Sequence, residues 1–268
     1  MRISIFTLSI LLAFVSMSAQ ADDALSVTDA PSAQNSFTGN MTLASEYIYR
    51  GIAQTNRKPT IQGGVDYSHA SGLYAGIWAS NISWLSDASS SAGAISAPVE
   101  IDTYGGYKQS VGEVILDAGL LKYWYPGTYP AGFVSPDTLE GYLGASWKFV
   151  SFKSSYAFTN LFGAVSNQMD GSVKKTEGSL YYDLSANPEL GAGFVLNLHV
   201  GRQQVANLPA ATYNDFKAGV TYDLKGWALS AAYISTTAKA SAGDFYRSGI
   251  QNRDLGADRV VVAVSKTF

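Results

Sequence analysis

The sequence predicts an all-β fold, a closed antiparallel up-and-down transmembrane β-barrel of about 12 strands behind a cleaved signal peptide. Three observations predict it. Apolar and polar residues alternate with period two along most of the chain. The connections between alternating segments are short and long by turns. The composition combines little charge with much glycine and tyrosine. The chain has 268 residues, with no Cys, 26 Gly, 17 Tyr, 12 Phe and 5 Trp; 47% are hydrophobic and 15% charged, against about 25% charged in ordinary soluble domains. Apolar and aromatic content is too high for a disordered chain. The lack of Cys excludes a disulfide scaffold and a cysteine-ligated metal site. A formal net charge of -3 argues against nucleic-acid binding, which calls for a basic patch.

Residues 1–21 read as an address. Arg2 supplies a positive start, Ile3 to Val15 an apolar stretch, and Ala19-Gln20-Ala21 a small-residue cleavage site before Asp22-Asp23, the pattern of a secretory signal peptide. Residues 22–36 are small and polar and read as a flexible tail, leaving 37–268 for the barrel. After Ala21 no run approaches the ~20 continuous apolar residues of a transmembrane helix.

Alternation then carries the assignment. In 59–70, Ile61, Gly63, Val65 and Tyr67 share one face, and Thr60, Gln62, Gly64, Asp66 and Ser68 the other. The same period recurs at 189–201 and 214–224, and a helix would need repeats of three and four instead. The predicted strands are 38–50, 59–70, 72–84, 98–109, 113–125, 138–149, 151–161, 174–186, 189–203, 213–224, 226–238 and 257–268, most near the length that crosses a bilayer when tilted. Connections after even-numbered strands are tight, as at Ala70-Ser71, Ser110-Val111-Gly112, Val150, Asn187-Pro188 and Lys225-Gly226. Those after odd-numbered strands are longer and rich in Ser, Ala, Gly, Pro and Asn, as at 85–97, 126–137, 162–173 and 239–256. Periplasmic turns and outer loops sort in this way, and an even strand count places both termini in the periplasm. Closure follows because an unpaired backbone group in hydrocarbon costs several kcal/mol.

Amphipathic rings favour the headgroup level. The strand ends carry Tyr47, Tyr49, Trp84 and Trp124 on one side and Tyr67, Trp147, Phe149, Phe152, Tyr222 and Trp227 on the other. These are the expected membrane-interface residues. The C-terminus, Arg259 to Phe268, ends in Phe268 with Val264, Val262 and Val260 in step behind it, the form of the terminal signal read by the barrel assembly machinery. Lys266 departs from the apolar residue usual at its position.

The segment Ser45 to Tyr67, SEYIYRGIAQTNRKPTIQGGVDY, and the following Gly72 to Trp84, GLYAGIWASNISW, resemble the TorF-type porins of proteobacteria, also called the Gcw_chp family. The matching positions are Tyr47, Arg50, Gly51, Gln54 and Thr55; then Gln62, Gly63, Gly64, Asp66 and Tyr67; then Gly72, Tyr74, Gly76, Trp78, Ser80 and Asn81. The resemblance implies an outer-membrane barrel exported through the periplasm and named a porin by analogy. It informs the fold more than the function.

Inward positions of the predicted register are Glu46, Arg50, Asp66, Glu100, Asp102, Lys108, Asp117, Glu140, Lys148, Lys153, Glu177, Asp183, His199, Asp215, Lys217, Asp223 and Arg259. Acids exceed bases, so a conducting lumen is expected to prefer cations weakly. About eight strands leave room only for side chains, and about sixteen leave a water-filled channel. Twelve lies between, and both an open and a plugged lumen fit. The loop 85–97 is a candidate constriction. Arg50, Arg57 and Lys58, read as lying on the first outer loop, form either a solvated rim or a contact for lipopolysaccharide phosphate or an anionic solute. The expected partners are outer-membrane lipid and lipopolysaccharide, the barrel assembly machinery and a small hydrophilic solute, with no cofactor, metal or nucleic acid. The leading function is passive diffusion of small hydrophilic solutes or ions. The alternatives are a lipid-active barrel enzyme using His69 and Ser71, and a non-conducting structural barrel. His69-Ala70-Ser71 falls at a periplasmic turn, away from outer-leaflet lipid, and His199 has no serine nucleophile close in sequence.

Overall fold

Twelve long strands each find two antiparallel neighbours and close into a ring in the computed structural model. It describes residues 34–89, 93–168, 171–238, 245–248 and 252–268; the signal peptide and all but the end of the 22–36 tail lie outside them. The strands are β1 (Ser36–Ala44), β2 (Thr60–Ser68), β3 (Leu73–Asn81), β4 (Val99–Val111), β5 (Val114–Trp124), β6 (Thr138–Trp147), β7 (Val150–Ala157), β8 (Leu180–Ala186), β9 (Phe194–Gln204), β10 (Tyr213–Leu224), β11 (Trp227–Thr236) and β12 (Arg259–Thr267). Each pairs with its sequence neighbour, and the ring is sealed where β1 meets β12, from Asn40 opposite Thr267 to Ala44 opposite Ala263. A short strand, Glu189–Gly191, joins the start of β9 with a shifted register. No sheet edge is left open along the ring, as a strand in hydrocarbon requires.

The connections sort as their lengths predict. Turns after the even strands are tight, and the left-handed residues they need are present: Lys225 and Gly226 at φ 54° and 83°, and Ala192 and Gly193 at 52° and 83°. Consecutive positive φ values suit the twist of a two-residue hairpin. The long connections, which include 45–59, 82–98 and 158–179, gather at the other end, and the start of β1 and the end of β12 lie at the short-turn end.

The two faces of each strand differ in chemistry. Phe37, Ile61, Val65, Ile77, Leu120, Leu143, Leu184, Val220, Val260 and Val262 are exposed on the outside. Thr42, Gln62, Ser80, Glu100, Asp102, Asp117, Glu140 and Asp215 are buried inside. In water this pattern would be inverted; around a barrel in lipid it is the stable arrangement.

Inside, glycine and tyrosine interlock. A Cβ on Gly76 would collide with the Tyr104 ring, one on Gly106 with Tyr74, one on Gly119 with Tyr142 and one on Gly201 with Tyr181. Bare backbone on one strand thus receives the ring of a neighbouring strand, and this lets a narrow barrel hold large inward side chains.

Five predicted strands differ in extent by more than two residues: the seventh ends at Ala157 rather than at residue 161, the long strand of the ninth begins at Phe194 rather than at residue 189, and three others differ as follows. The first ends at Ala44 rather than at residue 50, because Ser45 closes the pairing with Val262 (N to O 2.9 Å) and the chain then turns into the lumen. The third ends at Asn81, and Trp84 opens a one-turn helix, Trp84–Asp87. The eighth begins at Leu180 rather than at residue 174, because residues 173–175 pair in a separate loop hairpin with 165–167.

Gly119→Val is expected to displace Tyr142 and destabilise the barrel by about 1–3 kcal/mol. Gly39→Ala, where only a distant carbonyl lies nearby, should be neutral. The temperature at which the folded electrophoretic band of the detergent-solubilised protein converts to the unfolded one measures the difference.

Candidate functional site

Residues 45–59 form a hairpin that crosses the lumen. Ile48–Tyr49 pairs with Ile52–Ala53, and Arg50 and Gly51 make its tip at φ 46° and 77°. Gly51 is required there twice over: its φ is left-handed, and a Cβ would strike Asp215 on β10 and Thr236 on β11. The base is tied by Thr55, whose Oγ1 accepts from the Tyr47 backbone N–H at 2.9 Å and donates to the Lys58 carbonyl at 2.7 Å.

From this base the hairpin engages most of the wall. The Arg50 guanidinium makes a paired contact with the Glu140 carboxylate on β6, at 3.0 and 2.7 Å, and donates to Gln203 Oε1 on β9 at 3.0 Å. It also lies 4.1 Å from the Tyr181 ring centroid on β8. Tyr47 donates to Glu100 on β4 at 2.7 Å, and its ring meets Trp78 edge-on at 5.5 Å. Tyr49 and Tyr123 share a hydroxyl contact at 2.6 Å. Glu46 accepts from Arg259 on β12 at 2.9 Å. At the long-loop end Asn56 donates to Asp87 at 3.0 Å, and the Ser83 and Trp84 backbone N–H groups donate to the Gln54 carbonyl.

Toward the short-turn end the lumen is lined by tyrosine, acid and amide groups. Tyr74 donates to Asp117 at 2.6 Å and contacts the Tyr142 hydroxyl. Tyr104 donates to Asp66. The His199 ring bridges two carboxylates, with Asp183 3.1 Å from Nδ1 and Asp215 2.8 Å from Nε2. Lys153 stands opposite Asp183 in the β7–β8 register. Outside the spanning segments, burial pushes the Tyr246 phenol up, and burial followed by the nearby Asp137 does the same for Tyr129.

The structure redistributes the residues singled out in the sequence. Glu46, Arg50, Glu100, Asp102, Asp117, Glu140, Lys153 and Asp215 are buried in the lumen. Asp66, Lys108, Asp183, His199, Lys217 and Arg259 are half-buried there. Lys148 and Glu177 are exposed in connections outside the wall, and Asp223 is exposed at the short-turn end of β10, on the face that Asp215 and Lys217 share. Lys148 sits in a turn with its ammonium 4.5 Å over Trp147, Glu177 precedes the late start of β8, and Asp223 accepts the Gly226 N–H in a turn at 2.6 Å.

Among the aromatics, Trp124, Trp147, Phe149, Phe152 and Trp227 are exposed. Tyr67 and Tyr222 are half-buried against Phe37 and Phe194. Tyr47 (0% exposed) and Tyr49 (7%) are lumen residues, because the chain leaves the wall at Ser45. Trp84 packs beside the same buried cluster. Neither these tyrosines nor Trp84 belongs to an outer aromatic belt. Val260 and Val262 are exposed, Val264 is half-buried and Phe268 is exposed.

Arg50 is not on an exposed loop, whereas Arg57 and Lys58 are exposed at the rim. The loop 85–97 contributes Leu85, Ile95 and Ala97 to the packing beside the hairpin, but residues 45–59 are the segment that crosses. His69 Nδ1 lies 2.8 Å from Ser71 Oγ at an exposed short turn, and among the described residues no carboxylate is bonded to that ring.

The inward Tyr74, Tyr104, Tyr142 and Tyr181 were not among the sequence candidates. Their signal was available, since each shares the face of a strand's charged or small inward residues. The alternation Gly72, Tyr74, Gly76, Trp78, Ser80 is an entire inward face.

Residues 28–268 match the family model described as a bacterial protein of unknown function, Gcw_chp. No curated protein matches the chain in sequence. Among solved structures the NanC porin is similar at 11% identity over 87% of this chain and 98% of its own, with a TM-score of 0.51. The KdgM porin has 9% identity over 86% and 99%, with a TM-score of 0.48. The COG4313 outer-membrane channel from Pseudomonas putida F1 has 10% identity over 90% and 98%, with a TM-score of 0.45.

Arg50→Ala leaves the Glu140 carboxylate buried without its cation and is expected to cost about 3–5 kcal/mol. The double variant Arg50→Met with Glu140→Leu should recover much of that loss. Urea unfolding in lipid vesicles, followed by tryptophan emission, reads both.

Proposed function

Because this chain belongs to the Gcw_chp family and folds as an outer-membrane barrel like the small porins, we propose that it is a channel for passive diffusion of small hydrophilic solutes or ions, weakly preferring cations, with the hairpin 45–59 as its constriction. The reading rests on one observation: a polar inner face is crossed by the hairpin 45–59, whose tip is latched by Arg50 to Glu140.

The charge balance supports the preference. Arg50 is matched by Glu140, and Arg259 by Glu46. Asp66, Glu100, Asp102, Asp117, Asp183 and Asp215 then stand against Lys108, Lys153, Lys217 and His199, so acids remain in excess along the path. Carboxylates lining a narrow polar passage lower the electrostatic cost of a passing cation and raise that of an anion. The hairpin narrows the route, so small steps of conductance are expected with the hairpin seated and larger ones with it displaced.

The rest of the surface fits a barrel in an outer membrane. Trp124, Trp147, Phe149, Phe152 and Trp227, with Tyr67 and Tyr222, serve as interface anchors. Val260, Val262, Val264 and Phe268 form the row read by the assembly machinery. Arg57 and Lys58 face lipopolysaccharide phosphate at the outer rim.

Planar-bilayer recording tests the proposal. A variant with residues 46–58 replaced by a short Gly-Ser link is expected to conduct several-fold more than the native chain. Under an about tenfold KCl gradient the reversal potential should take the sign of cation preference. The opposite sign refutes the selectivity, and silence of the shortened variant refutes the channel.

A further inference from the structure

We propose that the seam where the hairpin meets β11 and β12 is the hydrophobic gate of the channel, with Ile48, Ile234 and Val261 as the residues that keep it dry. The inference rests on the channel reading above and names the place at which a passage opens while the hairpin stays seated.

The hairpin has two unlike faces. Tyr47, Tyr49 and Arg50 reach β4, β5 and β6 through their hydroxyls and the guanidinium. Ile48 stands between the two tyrosines, and strand alternation turns it the other way. It enters an apolar cluster with Ile52 and Ala53 of the hairpin, Ile234 of β11 and Val261 of β12. Ile48 is 1% exposed, Ile234 4% and Val261 7%. These side chains carry no hydrogen-bonding group, so their contact alone closes this face of the hairpin.

The cluster separates two spaces. Ala232, directly opposite Val261 in the β11–β12 register, is half-exposed. Ser230 and Ala263, the next inward residues toward the short-turn end, are small and half-exposed as well. The lumen is therefore open from that end up to the seam. On the long-loop side Ile52, Ala53, Tyr213 and Leu255 of the same cluster line a cavity of about 200 Å³, with the rings of Tyr49 and Phe162 beside them.

Fastenings on either side of the cluster fix the width of the seam. Arg259 on β12 holds Glu46 at 2.9 Å. The Ala53 backbone N–H donates to the Leu255 carbonyl at 2.9 Å. With hairpin and wall tied in this way, passage is decided by whether water enters between them. A narrow apolar constriction excludes water, and with it ions, by dewetting. A hydroxyl placed in the same neck gives water the polar partner it needs there.

The test is planar-bilayer recording of the isosteric variant Val261→Thr and of the double variant Val261→Thr with Ile48→Thr. Both leave the Arg50–Glu140 and Arg259–Glu46 contacts in place. The double variant is expected to conduct several-fold more than the native chain, and Val261→Thr alone to lie between them; the single variant carries the test if the double one fails to assemble. Ser155→Ala, which removes a hydroxyl from β7, should leave conductance unchanged. The chain has no Cys, so Ala263→Cys places a single thiol just below the seam. An impermeant methanethiosulfonate added to both chambers should then block the current of the Thr variants. Native conductance in the Thr variants, while the chain shortened at 46–58 conducts, overturns the gate and leaves the channel standing. Current that persists after thiol labelling also overturns the gate. Silence of the shortened chain overturns the channel and the gate together.

Discussion

Backbone hydrogen bonding in hydrocarbon is the constraint from which the rest of this structure follows. A strand exposed to lipid can place its N–H and C=O groups only on neighbouring strands. The pairing of β1 with β12, residues more than two hundred positions apart in the chain, is what makes that possible for all twelve. Once the ring is closed each strand has one face in lipid and one in the lumen. The alternation of Ile61 and Val65 with Gln62 and Asp66 is a direct consequence. So is the ordering of short and long connections, since an up-and-down ring places every second connection at the same end.

A closed ring of this size creates a second problem, its interior. The interior is neither apolar nor empty. Tyrosine rings rest on glycine backbone, carboxylates take phenol hydroxyls, and the hairpin 45–59 brings its own polar groups to meet the wall. The Arg50–Glu140 contact is central because both side chains are almost wholly buried, at 1% and 2% exposure. Either charge left alone in that setting would be costly. The same contact sets Tyr49 in place, so the floor of the aromatic cavity and the ceiling of the charged lumen belong to one hairpin.

The segments that carry the family resemblance gain a physical meaning from this. Tyr47, Arg50, Gly51, Gln54 and Thr55 are the hairpin itself. Gln62, Gly64 and Asp66, then Tyr74, Gly76, Trp78 and Ser80, are inward faces of the first strands flanking it. Gly51 has no room for a side chain, Trp78 receives Tyr47, and Ser80 contacts Thr60 at 2.9 Å. The motif therefore describes a hairpin that crosses the lumen and part of its seat, which the strand pattern alone does not convey.

The strand number, their order around the ring and the face each residue takes were legible in the sequence, because period-two alternation reports the two environments of a strand directly and the connection lengths report its direction. The fate of residues 45–59 was not. Ser45 to Arg50 alternate just as a wall strand does, and tyrosines at 47 and 49 suit a membrane interface as well as a lumen. What separates the two outcomes is Glu140, ninety residues away from Arg50, together with Tyr123, Glu100 and Gln203 on other strands. Lys148, Glu177 and Trp84 were misplaced for a related reason: the point at which a strand stops depends on where its neighbour ceases to offer hydrogen bonds. Local pattern determines which face a residue prefers, whereas only the closed barrel decides which groups meet across its interior, since those meetings join segments distant in the chain and leave no period in the sequence.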